Sequence, residues 1–228
     1  MQADLITISR EYGAGASELA SLLGARLGWR VLDSDIPVAV AKRLDIPPDS
    51  LEQWDEHAPR LLESIGHSLM LGSPDLLIDP AFVGRPDARD VAAATRDLLI
   101  EAVATPPAIV VGHGAQVIFG DRPGSLHLRL VAPISDRIRR IVARRSCTEK
   151  EAIAIAQYVD RDRAHYVKEY LGRDVRDPLL YAVQINTGVV AMSEAVALVS
   201  RLVGEDSSSA RISWRRATTS LWEPPGAA

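Results

Sequence analysis

"ISREYGAGASELASLLGARLGWRVLD", residues 8–33, contains the pattern from which the fold is predicted. It begins within a β-branched run at 4–9, which is typical of a buried strand. A glycine turn follows, and leucines then recur at helical spacing until Gly28, a residue type that commonly ends a helix. A second short strand covers 30–33. Strand, crossover helix and strand in this order predict a parallel α/β sheet with a right-handed crossover.

The same alternation continues through the rest of the chain. Apolar runs predict further strands at 108–112, 126–133 and 181–187. Thr148 is followed three residues later by Glu151, which is the spacing of a capping box, and this predicts the start of a long helix that continues to Gly172. A final helix ends at Gly204. We therefore expect a doubly wound α/β domain over 1–204.

Two segments fall outside this alternation. Residues 34–105 separate two strands by far more than one crossover requires, and we interpret them as a mostly helical lobe beside the sheet. Residues 205–228 differ in composition from the preceding chain and are interpreted as a tail. The tail either docks through Trp214 and Trp222, which would permit a homodimer, or stays loose.

Composition excludes several classes of protein. The chain has 228 residues, of which 47% are hydrophobic and 25% charged, as expected of a globular protein with a substantial core. A formal net charge of −4 and an aromatic content of 5% argue against nucleic-acid binding. Cys147 is the single cysteine, which excludes an internal disulfide and a cysteine-based metal site. Because the sequence shows no signal-peptide pattern and no long apolar run, we expect a cytoplasmic protein that does not enter a membrane.

The glycine turn has the features of a phosphate-binding loop. Gly13 and Gly15 lie between the first strand and the first helix, where a missing Cβ lets backbone amides approach an anion. Ser17 in the first helical turn would either coordinate Mg²⁺ or cap the helix. Ala16 occupies the position at which a Walker A loop carries its lysine, so the compensating positive charge has to come from elsewhere. The alternative is a tight turn that binds nothing.

An ordered series of segments resembles the cytidylate kinase-like family. The segments are ITISREYGAGASELASLLGARLGWRVLDSDI (6–36), LEQWDEHAPRLLESI (51–65), IVVGHGAQVIF (109–119), LHLRLVAPISDRIRRIVARR (126–145), DRDRAHYVKEYLG (160–172) and DPLLYAVQINT (177–187). The resemblance covers residues 4–203. It implies a P-loop NTPase-type three-layer α/β sandwich with a five-stranded parallel sheet, a helical acceptor-binding lobe over 34–105 and a lid region over 146–180. It also implies ATP and Mg²⁺ as cofactors.

The resemblance further indicates which groups carry positive charge. Arg10 matches the arginine of the family's opening motif, and Arg161 and Arg163 lie where these kinases carry lid arginines, so these three are expected to be catalytic. The residues expected to bind the nucleotide are Gly13, Ala14, Gly15, Ala16 and Ser17 of the loop, and Arg144 at the end of the helix before the lid. On an ideal helix Arg161 and Arg163 point roughly 200° apart, so an unbroken helix would bring only one of them to the phosphates. A solvated helix face is the alternative for this segment.

Acceptor binding is expected at Asp33, Asp35 and His113. Asp33 and Asp35 follow the second strand at its carboxyl end, where α/β sheets place ligand groups. Asp33 matches an aspartate of the family and would hold Mg²⁺ through water or accept a hydrogen bond from the acceptor. For Asp35, a helix cap is the favoured alternative. The family usually has arginine at the positions of Ser17 and His113, and histidine does not make the bidentate phosphate contact of arginine.

The expected activity is ATP-dependent phosphoryl transfer to a nucleoside monophosphate, with CMP as the first candidate. Ala16, Ser17 and His113 favour an alternative, a nucleotide-binding regulatory protein with weak or no catalytic activity. A kinase for a different small acceptor is a third interpretation, since a fold does not fix a substrate.

Overall fold

A sheet of five parallel strands forms the centre of the fold. The computed structural model describes residues 3–33, 35–45 and 88–204, so the lobe segment 46–87 and the predicted tail 205–228 lie outside the described residues. The strands are β1 (Leu5–Arg10), β2 (Arg30–Leu32), β3 (Ala108–Val111), β4 (Ser125–Val131) and β5 (Val183–Asn186). Their order across the sheet is β2–β3–β1–β4–β5, and every neighbouring pair is parallel.

The central strand β1 has both of its edges paired. Thr7 is level with Val110 of β3 on one side and with His127 of β4 on the other. The run LITISR suits this position because β-branched side chains pack well on a pleated surface. The carboxyl end of β1 at Arg10 therefore lies at the middle of the sheet edge where parallel α/β folds bind their ligands.

Helices cover both faces of the sheet. They are α1 (Ala16–Leu27), α2 (Asp35–Arg43), α3 (Ala88–Val103), α4 (Ala115–Ile118), α5 (Ile134–Arg145), α6 (Glu149–Leu171) and α7 (Met192–Val203), with a 3₁₀ turn at Pro178–Leu180. Apolar side chains of α1 and α7 form one core with the sheet face that carries Ile6, Ile8 and Leu128. Side chains of α2, α3 and α4 form a second core with the face that carries Leu5 and Val110. The expected three-layer α/β sandwich is thus confirmed.

α5 and α6 pack against each other as a helical pair with a small core of its own. That core contains Ile138, Ile141, Ala152 and Ala156, and the ring of Tyr12 packs against it. Because Tyr12 belongs to the loop after β1, the helical pair packs directly against the glycine turn.

The long helix α6 begins and ends where the sequence predicts. Thr148 Oγ1 accepts a hydrogen bond from the Glu151 amide at 3.3 Å, and the Glu151 carboxylate accepts one from the Thr148 amide at 2.8 Å. These two bonds form the predicted capping box. At the other end, Gly172 takes a left-handed conformation and its amide bonds back into the helix. Between these ends α6 is unbroken.

A polar cluster on one face of the sheet anchors the segment that follows α6. The Tyr181 hydroxyl donates to the Val175 carbonyl at 2.8 Å and lies 3.2 Å from Ser9 Oγ. Arg129 donates to the same Val175 carbonyl, and its guanidinium carbon lies 5.6 Å from the centroid of the Tyr181 ring. These contacts fix Val175 beside the carboxyl end of β1.

Four strands are shorter than predicted, including those predicted at 30–33 and 126–133, and two of the four show a local reason. The strand predicted at 108–112 is Ala108–Val111, because Gly112 has a φ of 84° and leaves the extended conformation. The strand predicted at 181–187 is Val183–Asn186, because Tyr181 still belongs to the end of the 3₁₀ turn. In residues 3–33, 35–45 and 88–204, no helix has the length and apolar character to cross a bilayer.

Thr148→Ala removes the hydrogen-bond acceptor that caps α6 and is expected to lower the free energy of unfolding by about 1 kcal/mol. Thr148→Ser retains a hydroxyl at the same place and should lose less than about half of that. Urea unfolding followed by circular dichroism measures both values. Equal losses for alanine and serine would contradict the cap.

Candidate active site

A cavity of about 840 Å³ lies at the carboxyl ends of β1 and β3. Its volume is in the range of small-molecule and cofactor sites. The glycine loop and the start of α1 form one wall, and side chains of α5 and α6 form another. Ile36, Pro37 and Val40 of α2 line a further, apolar part. The cavity therefore brings the predicted phosphate loop and the predicted lid region to one place.

The loop backbone requires glycine at its first predicted position. Gly13 has a φ of 83°, in the left-handed region that non-glycine residues rarely adopt. A Cβ on Gly13 would also lie 2.9 Å from the backbone oxygen of Arg137. Glycine at this position therefore permits close contact between the loop and α5.

Side chains from outside the loop hold three of its successive carbonyl oxygens. Arg137 donates to the carbonyl of Tyr12 at 3.2 Å, and Arg140 donates to the carbonyl of Gly13 at 3.3 Å. The hydroxyl of Thr187 donates to the carbonyl of Ala14 at 2.8 Å. Arg140 is in turn fixed by Thr187, since it donates to the Thr187 hydroxyl at 2.9 Å and to its carbonyl at 2.8 Å. The amides of Tyr12 and Ala14 donate to Asp160 and to the Glu11 carbonyl, so the amides of Gly13 and Gly15 are those that the loop can present to an anion.

The start of α1 adds further donors. Gly15 is the N-cap of α1, with no side-chain cap, and the first amides of any helix have no partner within the helix. Ala16 is buried, so the first turn contributes no cationic side chain at the lysine position. The Ser17 hydroxyl donates to Asp33 Oδ2 at 2.7 Å. A hydroxyl and a carboxylate oxygen thus meet beside the loop, and oxygen atoms are the ligands that Mg²⁺ prefers.

Arg10 supplies a positive charge directly beside the loop. Its guanidinium lies 3.8 Å from Asp33 Oδ1, and its side chain is only 15% exposed. Burial lowers the pKa of Arg10 below its ordinary value, and the Asp33 carboxylate opposes that shift. A Cβ on Gly112 would lie 1.7 Å from Arg10 Nη1. Gly112 thus provides the space that the guanidinium occupies.

Arg163 of α6 reaches the same place from the other side. It donates a hydrogen bond to the backbone carbonyl of Arg10 at 3.3 Å. Burial, and then the neighbouring charge of Arg10, lower the pKa of Arg163 to about 9. Arg163 therefore remains charged near neutral pH. Two guanidinium groups that repel each other are held at one cavity wall, where an anion would relieve the repulsion.

His113 is neutral at physiological pH. It has a φ of 56° between two glycines that also have positive φ, and its Nε2 lies 3.5 Å from the carbonyl of Asp33. Burial, and then the charge of Arg10, lower the pKa of His113 to about 4. The imidazole can exchange hydrogen bonds with a ligand but does not neutralise a phosphate there.

The site residues predicted from the sequence fall into two groups, those that line the cavity and those that do not. Those that line the cavity are Arg10, Gly13, Ala14, Gly15, Ala16, Ser17, Asp33, His113, Arg144 and Arg163. Arg161 and Asp35 do not line it. Arg161 is exposed on α6 with its guanidinium carbon 5.6 Å from the ring centroid of Tyr158, and Asp35 is the exposed first residue of α2. Of the two predicted lid arginines, only Arg163 reaches the cavity, because α6 is unbroken between them.

Sequence reasoning missed the residues that position the loop. Asp160 accepts a hydrogen bond from the Tyr12 amide at 2.7 Å and forms an ion pair with Arg137. The Glu11 carboxylate accepts the Ala132 amide at 3.2 Å and lies 3.6 Å from Arg137 Nε. The helical spacing of Arg137, Arg140 and Arg144 places these arginines together on α5, and it is a signal for the first two that the sequence contains. No local pattern marks Thr187. Within the described residues, no cluster of three or more histidine, cysteine, aspartate or glutamate side chains could hold a metal ion.

The model of the cytidylate kinase-like family matches residues 5–189, which is most of the chain. The chain belongs to the cytidylate kinase-like family. The match begins at the first residue of β1 and ends beyond β5, so it includes the glycine loop, Asp33, α6 and Thr187. No curated protein matches the sequence.

Solved structures that resemble this member of the cytidylate kinase-like family include two bacterial proteins. An uncharacterized protein from Eubacterium ventriosum ATCC 27560 has a TM-score of 0.64 at 20% identity, over 90% of this chain and 99% of that chain. Shikimate kinase from Bacteroides thetaiotaomicron has a TM-score of 0.50 at 14% identity, over 87% of this chain and 97% of that chain. At these identities the likeness shows the fold, which is that of P-loop kinases, and leaves the substrate open.

Gly112→Ala is expected to displace the Arg10 guanidinium, because the new Cβ would occupy its place. Gly28→Ala is a matched control: Gly28 also has a positive φ, of 69°, but a Cβ there would meet nothing within 4 Å. Both substitutions should cost roughly 1–2 kcal/mol of unfolding free energy for the left-handed backbone. Only Gly112→Ala should also weaken tripolyphosphate binding, by about tenfold, as measured by calorimetry. Equal binding by the two variants would show that Arg10 does not contact the anion.

The stability of the protein is expected to decrease between pH 6.5 and pH 4, in part through His113. Its pKa falls from 6.5 in the unfolded chain to about 4 in the folded protein. The unfolded chain therefore binds a proton first as the pH falls, so the contribution is complete above pH 6.5 and is lost toward pH 4. His113→Asn suits the left-handed backbone and should reduce the loss between pH 7 and pH 4.5 by roughly 2 kcal/mol.

Urea unfolding of both proteins at the two pH values measures this difference. His165→Asn is the control, since the side chain of His165 is exposed on α6 in the folded protein. A His113→Asn variant that loses as much stability as the wild type on acidification would contradict a neutral His113.

Proposed function

We propose that this protein is an ATP-dependent kinase that transfers a phosphoryl group to a nucleoside monophosphate, with CMP as the first candidate. The observation that carries the proposal is the meeting of two partly buried guanidinium groups, those of Arg10 and Arg163, at the glycine loop. Phosphoryl transfer depends mainly on alignment and on positive charge around the migrating group. Membership of the cytidylate kinase-like family supports the same class of reaction.

The loop and the start of α1 would hold the phosphates of ATP. Their fit rests on the engaged carbonyls at Tyr12, Gly13 and Ala14, which leave the amides of the two loop glycines for an anion. Ser17 and Asp33 would hold Mg²⁺, directly or through water. When bound, Mg²⁺ would supply a positive charge that offsets the charge on the phosphate oxygens.

The part of the cavity near α2 would receive the acceptor. Its apolar lining by Ile36, Pro37 and Val40 suits a flat, weakly polar group such as a pyrimidine ring. Asp33 and neutral His113 line the same cavity, and they would accept or donate hydrogen bonds there. In this arrangement the acceptor phosphate depends on Arg10 for charge, because His113 provides none.

A nucleotide-binding regulatory protein with weak or no catalytic activity is the second candidate. Its support is the buried Ala16 at the lysine position, together with the engagement of Ser17 by Asp33. Calorimetry separates the two candidates: ATP binding without transfer to any acceptor would select the regulatory protein. A protein that binds no ATP would exclude both.

The proposed activity predicts that ATP, Mg²⁺ and CMP yield ADP and CDP, as followed by phosphorus NMR. The acceptor panel should include UMP, AMP, GMP and small hydroxyl compounds. Arg10→Met and Arg163→Met should each lower kcat/KM on the order of a hundredfold, because each removes charge stabilisation from the transferred group. Arg161→Met is the matched control, since Arg161 lies on the same helix outside the cavity.

The control variant should keep its rate within about threefold of the wild type. Unfolding free energies of all three variants separate a lost contact from a lost fold. Equal losses for Arg161→Met and Arg163→Met would contradict the assignment of Arg163, and a wild type that is inactive on the whole panel would remove the kinase proposal.

A further inference from the structure

Tyr12 brings two guanidinium groups together at the cavity wall. The guanidinium carbon of Arg163 lies 5.5 Å from the centroid of the Tyr12 ring, and that of Arg145 lies 5.7 Å from it. Both distances are within the range of cation–π attraction. Arg145 comes from the last turn of α5 and Arg163 from the middle of α6, and both line the cavity. A single ring of the phosphate loop thus contacts one cation from each helix of the pair.

The backbone of Tyr12 is fixed to the same two helices. Its amide donates to Asp160 of α6 at 2.7 Å, and its carbonyl accepts from Arg137 of α5 at 3.2 Å. Asp160 and Arg137 also form an ion pair with each other. Rotation of the peptide groups on either side of Tyr12 would break at least one of these contacts.

The ring of Tyr12 is held as firmly as its backbone. It packs against the small core between α5 and α6, which contains Ile138, Ile141, Ala152 and Ala156. Such packing leaves an aromatic ring few accessible rotamers. The two guanidinium groups therefore lie against a fixed surface.

A fixed aromatic ring can hold cations from other elements at the loop, as a lysine of the loop itself would place its own charge there. Arginine side chains carry several rotatable bonds, so ordering them on binding costs conformational entropy. A ring that attracts both guanidinium groups before the ligand arrives removes part of that cost. The need for such a device follows from Ala16, which leaves the first turn of α1 without a cation.

We infer that Tyr12 is a positioning residue that holds Arg145 and Arg163 at the polyphosphate site, where they take the place of the missing loop lysine. This inference rests on the proposed function in that it takes a polyphosphate as the ligand, and it adds Arg145 to the groups that bind it. Tyr12 acts through the two arginines and requires no contact of its own with the phosphates.

The experiment is a double-mutant cycle between Tyr12 and Arg163, with the dissociation constant of tripolyphosphate as its readout. Calorimetry of the full chain is compared for the wild type, Tyr12→Leu, Arg163→Met and the double variant. Tyr12→Leu should weaken binding about tenfold in the wild-type background but less than about threefold in the Arg163→Met background, because the loss acts through Arg163. A second cycle with Arg145→Met should show the same non-additivity.

Two controls separate positioning from structural damage. Tyr12→Phe keeps the aromatic ring, so its dissociation constant for tripolyphosphate should stay within about twofold of the wild-type value. Tyr158→Leu removes a ring that also contacts an arginine, since the guanidinium carbon of Arg161 lies 5.6 Å from the ring centroid. Tyr158 and Arg161 do not line the cavity. It should leave tripolyphosphate binding unchanged and show no coupling with Arg161→Met.

Binding is the readout because it remains informative if the kinase proposal fails. Wild-type binding with no turnover, together with non-additive losses at Tyr12 and Arg163, would support the inference and reject the kinase. Losses at Tyr12 and Arg163 that simply multiply, or a Tyr12→Phe variant as weak as Tyr12→Leu, would overturn the inference. It would also be overturned if the wild type bound no tripolyphosphate.

Discussion

Arg137, Arg140 and Thr187 donate hydrogen bonds to three successive carbonyl oxygens of the loop after β1. These bonds fix the orientation of the peptide groups, and so they determine whether the loop offers positive or negative ends of its dipoles to the cavity. A carbonyl turned toward a phosphate would repel it, whereas an amide attracts it. Gly13 permits the close contact with α5 on which the first of these bonds depends. The conformation of the loop therefore depends on α5 and on Thr187, the residue after β5, as much as on the loop's own sequence.

Positive charge reaches this loop from a strand end and from distant helices. Arg10 is the last residue of β1, and Arg163 belongs to α6. Desolvation lowers the pKa of each guanidinium. Two like charges held close together in a partly desolvated site are unfavourable in the free protein. In the proposed complex a polyphosphate would remove that penalty by pairing with both, so part of its affinity would come from relief of repulsion. A single lysine in the loop would give no such coupling between strand and helix.

Periodicity and end signals are local, and this explains what the sequence could predict. The strands, the capping box at Thr148 and the stop at Gly172 all depend on residues within a few positions of one another. Helical geometry also showed that only one of Arg161 and Arg163 could reach a given ligand. Thr187 and Ala14, by contrast, are 173 positions apart in the chain, and their contact depends on the order of strands in the sheet. The lowered pKa of His113 likewise depends on burial and on Arg10 and Arg163, which belong to β1 and α6.

The departures at Ser17 and His113 both lie beside Asp33, one at its carboxylate and the other at its backbone carbonyl. Asp33 accepts a hydrogen bond from Ser17, lies 3.8 Å from Arg10, and has its carbonyl 3.5 Å from the His113 ring. Arginines at both positions, as in the family pattern that this sequence resembles, would add two charges beside Arg10 and increase its repulsion with Arg163. A hydroxyl and a neutral imidazole keep hydrogen bonding around Asp33 and add no charge there, so Arg10 and Arg163 remain the cations beside it. Since Arg163 belongs to α6, the position of α6 would affect the field at the proposed phosphate site more strongly here than in a site whose cations lie within the loop.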